Sequence, residues 1–171
     1  FEQTSVAYSY PFLLAILNSK LIAYELNTNR RSNIHIYPDD YRELYLPMTT
    51  ATNHDELTAL ADRMQSLTEQ LQKLAKQVAG MLQTDLGVGK LTDKLLNWPS
   101  LDWPGLLTEL KKQKIGVSLP KQMEWKPFFD EQRAKATALQ TERTATDRQI
   151  DQLVYALYGL TDADIALVEG R

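Results

Sequence analysis

Cysteine is absent from the 171-residue sequence. Disulfide scaffolds, zinc ribbons, thiol nucleophiles and iron–sulfur clusters are thereby excluded together. Histidine is nearly absent too, with only His35 and His54, so a multi-histidine metal centre is excluded in practice. Long apolar runs are missing: the most apolar stretch, Phe12 to Leu17, is six residues and is followed by Asn18 and Lys20. A membrane-spanning helix needs about 20 apolar residues, and no basic start with a small-residue cleavage site marks a secretory leader. The expected compartment is the cytoplasm. A surplus of positive charge is also lacking, since the net charge is −3, which argues against binding nucleic acid by bulk charge and leaves only local basic patches. The first residue is Phe1 rather than methionine, so the chain is expected to be a piece of a longer or processed protein.

What is present fits a globular protein of one domain, two at most, with 43% hydrophobic and 24% charged residues. Residues 1–48 are mixed and rich in aromatics. There Pro11 opens a helical run expected to reach Leu26, and Asn33 to Tyr37 alternates polar and apolar residues as a short strand would. The clearest pattern follows. Leu57, Leu60, Met64, Leu67, Leu71, Leu74, Val78 and Met81 recur at alternating steps of three and four residues, a heptad seam that predicts one long helix over residues 54–83. Asn53 with Glu56 predicts its capping box.

A second frame runs through Trp125, Phe129, Ala136, Leu139, Ile150, Leu153 and Leu157, with Gln132, Arg143 and Thr146 in its remaining positions. Pro127 is expected to start this helix or to kink it, and Gly159 to cap its end. Thr161 with Asp164 predicts a capped terminal helix. Between the seams, Leu91, Leu95 and Leu96 mark one short helix, and Leu106, Leu107 and Leu110 another, with Asp102 as cap. Trp98 and Trp103 read as core anchors there. The expected fold is mainly α: a long antiparallel coiled-coil helical hairpin with short helices at its tip and a small mixed N-terminal segment. The expected division is residues 1–48 against 54–171, with residues 84–119 as an insert in the hairpin.

Motifs that could carry chemistry are weak. Gly87-Val88-Gly89-Lys90 lacks the spacing and the preceding strand of a phosphate loop. Asp102, Glu109 and Lys111 imitate a nuclease set, but on a leucine-striped helix rather than on strands. His35 sits among strand-like apolar positions and reads as structural. No catalytic or metal-binding residue is assigned. The basic residues say more. Residues 105–126 hold Lys111, Lys112, Lys114, Lys121 and Lys126 against Glu109 and Glu124, and Arg30, Arg31 and Arg42 flank the strand-like segment. Arg30, Arg31, Arg42, Lys111, Lys112 and Lys114 are the candidate phosphate contacts.

The run Ala145-Thr146-Asp147-Arg148-Gln149-Ile150-Asp151-Gln152-Leu153-Val154-Tyr155-Ala156-Leu157-Tyr158-Gly159-Leu160-Thr161, then Ile165 to Gly170, resembles the C-terminal tail of adenine-specific DNA methyltransferases of restriction–modification systems, fused type II or type I-like. Leu14-Ala15-Ile16-Leu17-Asn18-Ser19-Lys20, Ile36-Tyr37-Pro38 and Leu46-Pro47 resemble the end of that family's target-recognition domain. Asn97 to Asp102, Glu124-Trp125 and Phe128-Phe129 resemble its helical insert. The resemblance implies a C-terminal, recognition-associated helical piece whose parent uses S-adenosylmethionine, and which carries no cofactor itself, because the methylase and nuclease motifs are absent here. It implies weak phosphate contact with DNA, and as partners the methylase core of the same protein, a second copy, or another restriction–modification subunit. The competing expectation is an assembly module with no DNA contact, which the acidic balance favours; a coiled-coil scaffold unrelated to DNA stands third.

Overall fold

The computed structural model describes residues 7–29 and 37–170, and these residues form helices, one 3₁₀ turn and connecting loops, with no strand among them. The helices are α1 (Tyr10–Leu17), α2 (Lys20–Asn29), α3 (Pro38–Arg42), α4 (Ala51–Leu86), α5 (Asp93–Leu96), α6 (Trp103–Lys112), α7 (Leu119–Tyr158) and α8 (Asp162–Val168), with the 3₁₀ turn Trp98–Ser100 between α5 and α6. The long pair α4 and α7 makes the expected helical hairpin. No helix among the described residues is long and apolar enough to cross a membrane.

Two compact units share the long helices. The first contains residues up to Gln65 together with Thr144 onward; the second is Ser66–Arg143. They divide the chain at different places from the expected 1–48 and 54–171, because α4 carries the chain out of the first unit and α7 brings it back.

In the first unit, Leu57 of α4 and Ile150 and Val154 of α7 close a core with Phe12, Ile16, Ile22 and Leu26. Pairing the start of α4 with the end of α7 is the antiparallel register that the two seams predict. The expected continuous helix from Pro11 to Leu26 is instead two helices, broken at Asn18-Ser19. Ser19 is 1% exposed, and its hydroxyl serves both ends: it donates to the Ile16 carbonyl at 2.7 Å and accepts from the Ile22 N–H at 3.4 Å. A residue that satisfies one helix's last carbonyls and the next helix's first N–H groups makes such a break inexpensive. Asp151 of α7 completes the second start, its Oδ1 accepting from the Lys20 N–H at 2.9 Å and its Oδ2 lying 3.4 Å from the Lys20 ammonium. Burial pushes the Asp151 carboxyl above the usual aspartate range, and Lys20 opposes that shift. His54 is buried against Phe12, with ring centroids 5.0 Å apart, and its Nε2 accepts from the Ser9 N–H at 3.0 Å.

Helix α4 starts earlier than expected. Thr50, not Asn53, supplies the cap, its hydroxyl accepting from the Asn53 N–H at 3.2 Å, so Asn53 lies inside the first turn. Residues 33–36 of the expected strand lie outside the described residues; Tyr37 has extended backbone and leads directly into α3.

In the second unit, Val78 and Leu82 of α4 pack with Trp125, Phe129 and Ala136 of α7 under a lid made by α5, the 3₁₀ turn and α6. Trp98 and Trp103 are 1% and 9% exposed, and their rings lie 5.9 and 5.8 Å from that of Phe129, so both are core anchors as expected. Asp85 near the end of α4 receives the Trp125 indole N–H and pairs with Lys121 at 2.8 Å, tying that end to the start of α7. The hydrogen bond from Lys121, then that from Trp125, hold the Asp85 carboxyl below the usual range. Of the two expectations for Pro127, a helix start and a place within a longer helix, the second holds: α7 begins at Leu119 and runs through the proline.

The helix ends carry local signatures. Gly159, at φ +67°, closes α7: its N–H bonds to the Ala156 carbonyl and the Leu160 N–H to the Tyr155 carbonyl. Thr161 and Asp164 form the expected capping box of α8. Just before Gly159, Tyr158 donates its hydroxyl to the Tyr45 carbonyl at 2.7 Å. Its phenol is pushed up from 10.0 to about 12, first by burial and next by the negative charge of Glu25. The folded chain therefore holds this proton where the unfolded chain releases it. The group's contribution to stability is complete below pH 10.0 and is lost as pH rises to about 12. The stability gap between wild type and Tyr158→Phe is expected to close across that window, as urea midpoints taken through it would register. A gap that stays constant contradicts the assignment.

Candidate nucleic-acid interface

The C-terminal end of α6 gathers the lysines. Lys111 and Lys112 occupy its last turn, where positive charge complements the helix dipole, and their presence there needs no ligand to explain it. Lys114 is different. It sits at φ +62° and is the only described non-glycine residue with positive φ. The Lys114 N–H bonds to the Lys111 carbonyl at 2.9 Å and the Ile115 N–H to the Leu110 carbonyl at 3.1 Å, the paired bonds of a helix stop that usually places glycine at this position. A lysine there carries a left-handed backbone penalty of about 1–2 kcal/mol.

Glu109, 9% exposed, sits beneath the cluster and accepts from Lys112 at 2.7 Å; the Lys94 ammonium lies 3.4 Å from the same oxygen. The Lys112 hydrogen bond holds the Glu109 carboxyl below its usual range. Two lysines, 94 and 112, pair with this one carboxylate, while Lys111 and Lys114 are exposed and in no ion pair among the described residues. Sequence reading missed Lys94, because only the packing of α5 on α6 brings it to Glu109, and no spacing in the chain signals it.

The other basic candidates are placed otherwise. Lys121 is engaged by Asp85 and by Glu124 at 3.3 Å, and Lys126 by Asp130 at 2.7 Å. Arg42 is exposed on α3, in the first unit, and pairs with Asp39 at 2.7 Å. Arg30 and Arg31, with His35, lie outside the described residues.

The weak catalytic motifs have local explanations. Asp102 is the cap of α6, accepting from the Gly105 N–H at 2.8 Å, and Glu109 is held by lysines, so neither is presented to a metal. Among the described residues no group of three or more histidine, cysteine, aspartate or glutamate side chains could hold a metal ion. Gly87-Val88-Gly89-Lys90 follows the C-terminus of α4, with Gly87 at φ +70° and Val88 buried, whereas a phosphate loop must precede a helix N-terminus. The cluster can neutralise anionic oxygens.

No curated protein and no solved structure matches the chain. Residues 50–154, which include most of both long helices and everything between them, match the family described as Domain of unknown function (DUF8810), and the chain belongs to that family.

Proposed function

We propose that this chain is a non-catalytic, C-terminal helical domain associated with DNA recognition in a restriction–modification adenine methyltransferase. In this reading the hairpin touches DNA weakly, through phosphates, by the lysines at the end of α6. The parent's methylase core would supply the S-adenosylmethionine site and the chemistry. One observation carries the DNA contact: Lys111, Lys112 and Lys114 fall within four residues at the end of α6, Lys94 pairs with Glu109 of the same helix, and Lys114 stands where glycine would relieve the backbone. A strained position that keeps a charged side chain marks that side chain as a candidate for use. The tail resemblance from Ala145 to Gly170 supplies the class of parent.

A salt series decides it. Each neutralised phosphate adds about 0.9 to the slope of log affinity against log salt on duplex DNA. The triple substitution Lys111→Gln, Lys112→Gln, Lys114→Gln is expected to lower that slope by roughly 3. Lys114→Gly alone should lower it by roughly 1 while raising stability, which separates the charge from the backbone. Equal slopes for wild type and triple variant would reduce the cluster to a solvated helix end.

A second reading, an assembly module without DNA contact, draws on a separate feature. Leu119 and Met123, four residues apart on α7, are 75% and 79% exposed, and the net charge of −3 gives no long-range attraction to DNA. Absence of any binding at low salt would favour this second reading.

A further inference from the structure

In the second unit the α7 frame is interrupted twice, by the buried Gln132 and by the exposed Arg143. Arg143 stands in the α7 frame where an apolar residue would continue it, Ala136 presents only a methyl group in that frame, and Ala75 presents another beside the α4 seam. Small side chains on two packed helices leave space that the backbone cannot collapse to fill. The result is a cleft of about 260 Å³ whose lining includes Leu71, Ala75, Leu96, Trp98, Ala136 and Arg143. That is just below the ~300–1,000 Å³ of sites for drug-sized ligands, so its ligand is smaller than those. Arg143 is exposed and forms no ion pair among the described residues. Trp98, 1% exposed, carries an indole N–H with no acceptor among the described residues.

We infer that this cleft binds a small aliphatic monocarboxylate, its carboxylate on the Arg143 guanidinium and its hydrocarbon body against Leu71, Ala75, Ala136 and Trp98. The two halves of the ligand follow from the two halves of the site. A planar guanidinium without a partner is matched by a carboxylate in a two-pronged hydrogen bond. An apolar wall rewards burial of methylene groups and gives inorganic anions nothing to cover. Gln140 also lines the cleft. The site owes nothing to the lysine cluster of α6, so it stands or falls independently of DNA binding.

Hexanoate is the probe, with hexanamide as its neutral counterpart. Titration of the full chain, followed by the indole N–H resonance of Trp98, is expected to give a saturable shift with hexanoate and a much weaker one with hexanamide. Arg143→Gln, at an exposed position, should weaken hexanoate binding by about ten-fold or more without changing the helical circular dichroism. Ala75→Leu, which fills the cleft, should abolish it. The inference is overturned if hexanoate gives no saturable shift, if hexanamide binds as well, or if Arg143→Gln leaves the affinity unchanged.

Discussion

Phe129→Ala is expected to destabilise the protein by about 3–5 kcal/mol, the largest effect of any single truncation in the second unit. Phe129 is 0% exposed and is the ring on which both lid tryptophans rest, Trp98 at 5.9 Å and Trp103 at 5.8 Å. Truncation removes the buried ring and both aromatic pairings, each of which adds about 0.5–1.5 kcal/mol beyond area burial. The lid cannot sink into the space, because α5 and α6 are held by the side-chain caps of Thr92 and Asp102 and the turn between them by the Ser100 N–H bond to the Asn97 carbonyl. Denaturant unfolding followed by tryptophan fluorescence gives the number. Phe129→Leu should recover much of the loss by refilling volume. A loss below about 1 kcal/mol, the average for an unremarkable substitution, would mean that Phe129 is not the keystone of this core.

Pro127→Ala should act in the opposite direction, raising stability by about 2 kcal/mol. A proline inside a helix costs about 3 kcal/mol relative to alanine, through the lost N–H and the clash with the carbonyl four residues back. The stiffness that proline gives the unfolded chain returns about 0.4–1 kcal/mol of that. Here the carbonyl concerned belongs to Met123, which is 79% exposed, and Pro127 is itself exposed on α7. Alanine would restore the intrahelical bond to the Met123 carbonyl on an exposed stretch of α7 without disturbing the core. For a chain of this size the melting temperature should rise by roughly 4–8 °C. An unchanged or lower melting temperature would show that proline at 127 costs this helix nothing and would overturn the prediction.

The long helices were legible because burial repeats with helical period over many turns, and a repeat that long has no competing reading. Local chemistry made the ends of α6, α7 and α8 legible through Asp102, Gly159 and Thr161, since a cap needs only neighbours in sequence. The break at Ser19 was not legible. Apolar residues continue through it, and the bond that stabilises the new helix start comes from Asp151, 131 residues away. The seam itself drifts: Leu71 is only half-buried and lines a cleft, while Leu82, outside the heptad frame, is fully buried. A straight helix of 3.6 residues per turn leaves a strict seven-residue repeat by ~20° per heptad, so the buried face moves around it. Of the candidate site, the lysines at 111, 112 and 114 could be read from the chain, because one helix end carries them. Lys94 and the engagement of Lys121 and Lys126 by carboxylates depend on which helices pack together.

The sharing of α4 and α7 between two units has a consequence for how the chain acquires its structure. The second unit is one uninterrupted stretch, Ser66–Arg143, so every contact in its core closes a loop within that stretch. The first unit is assembled from both sides of that stretch: Phe12, Ile16 and Leu57 precede it, Ile150 and Val154 follow it. Closing a loop becomes harder as the loop lengthens, and distant contacts form late. Folding the second unit shortens the effective loop, because a formed helical pair carries Gln65 and Thr144 toward each other. A chain emerging in order of synthesis thus has its second core complete in sequence while the first still lacks the Ile150 and Val154 side of its packing.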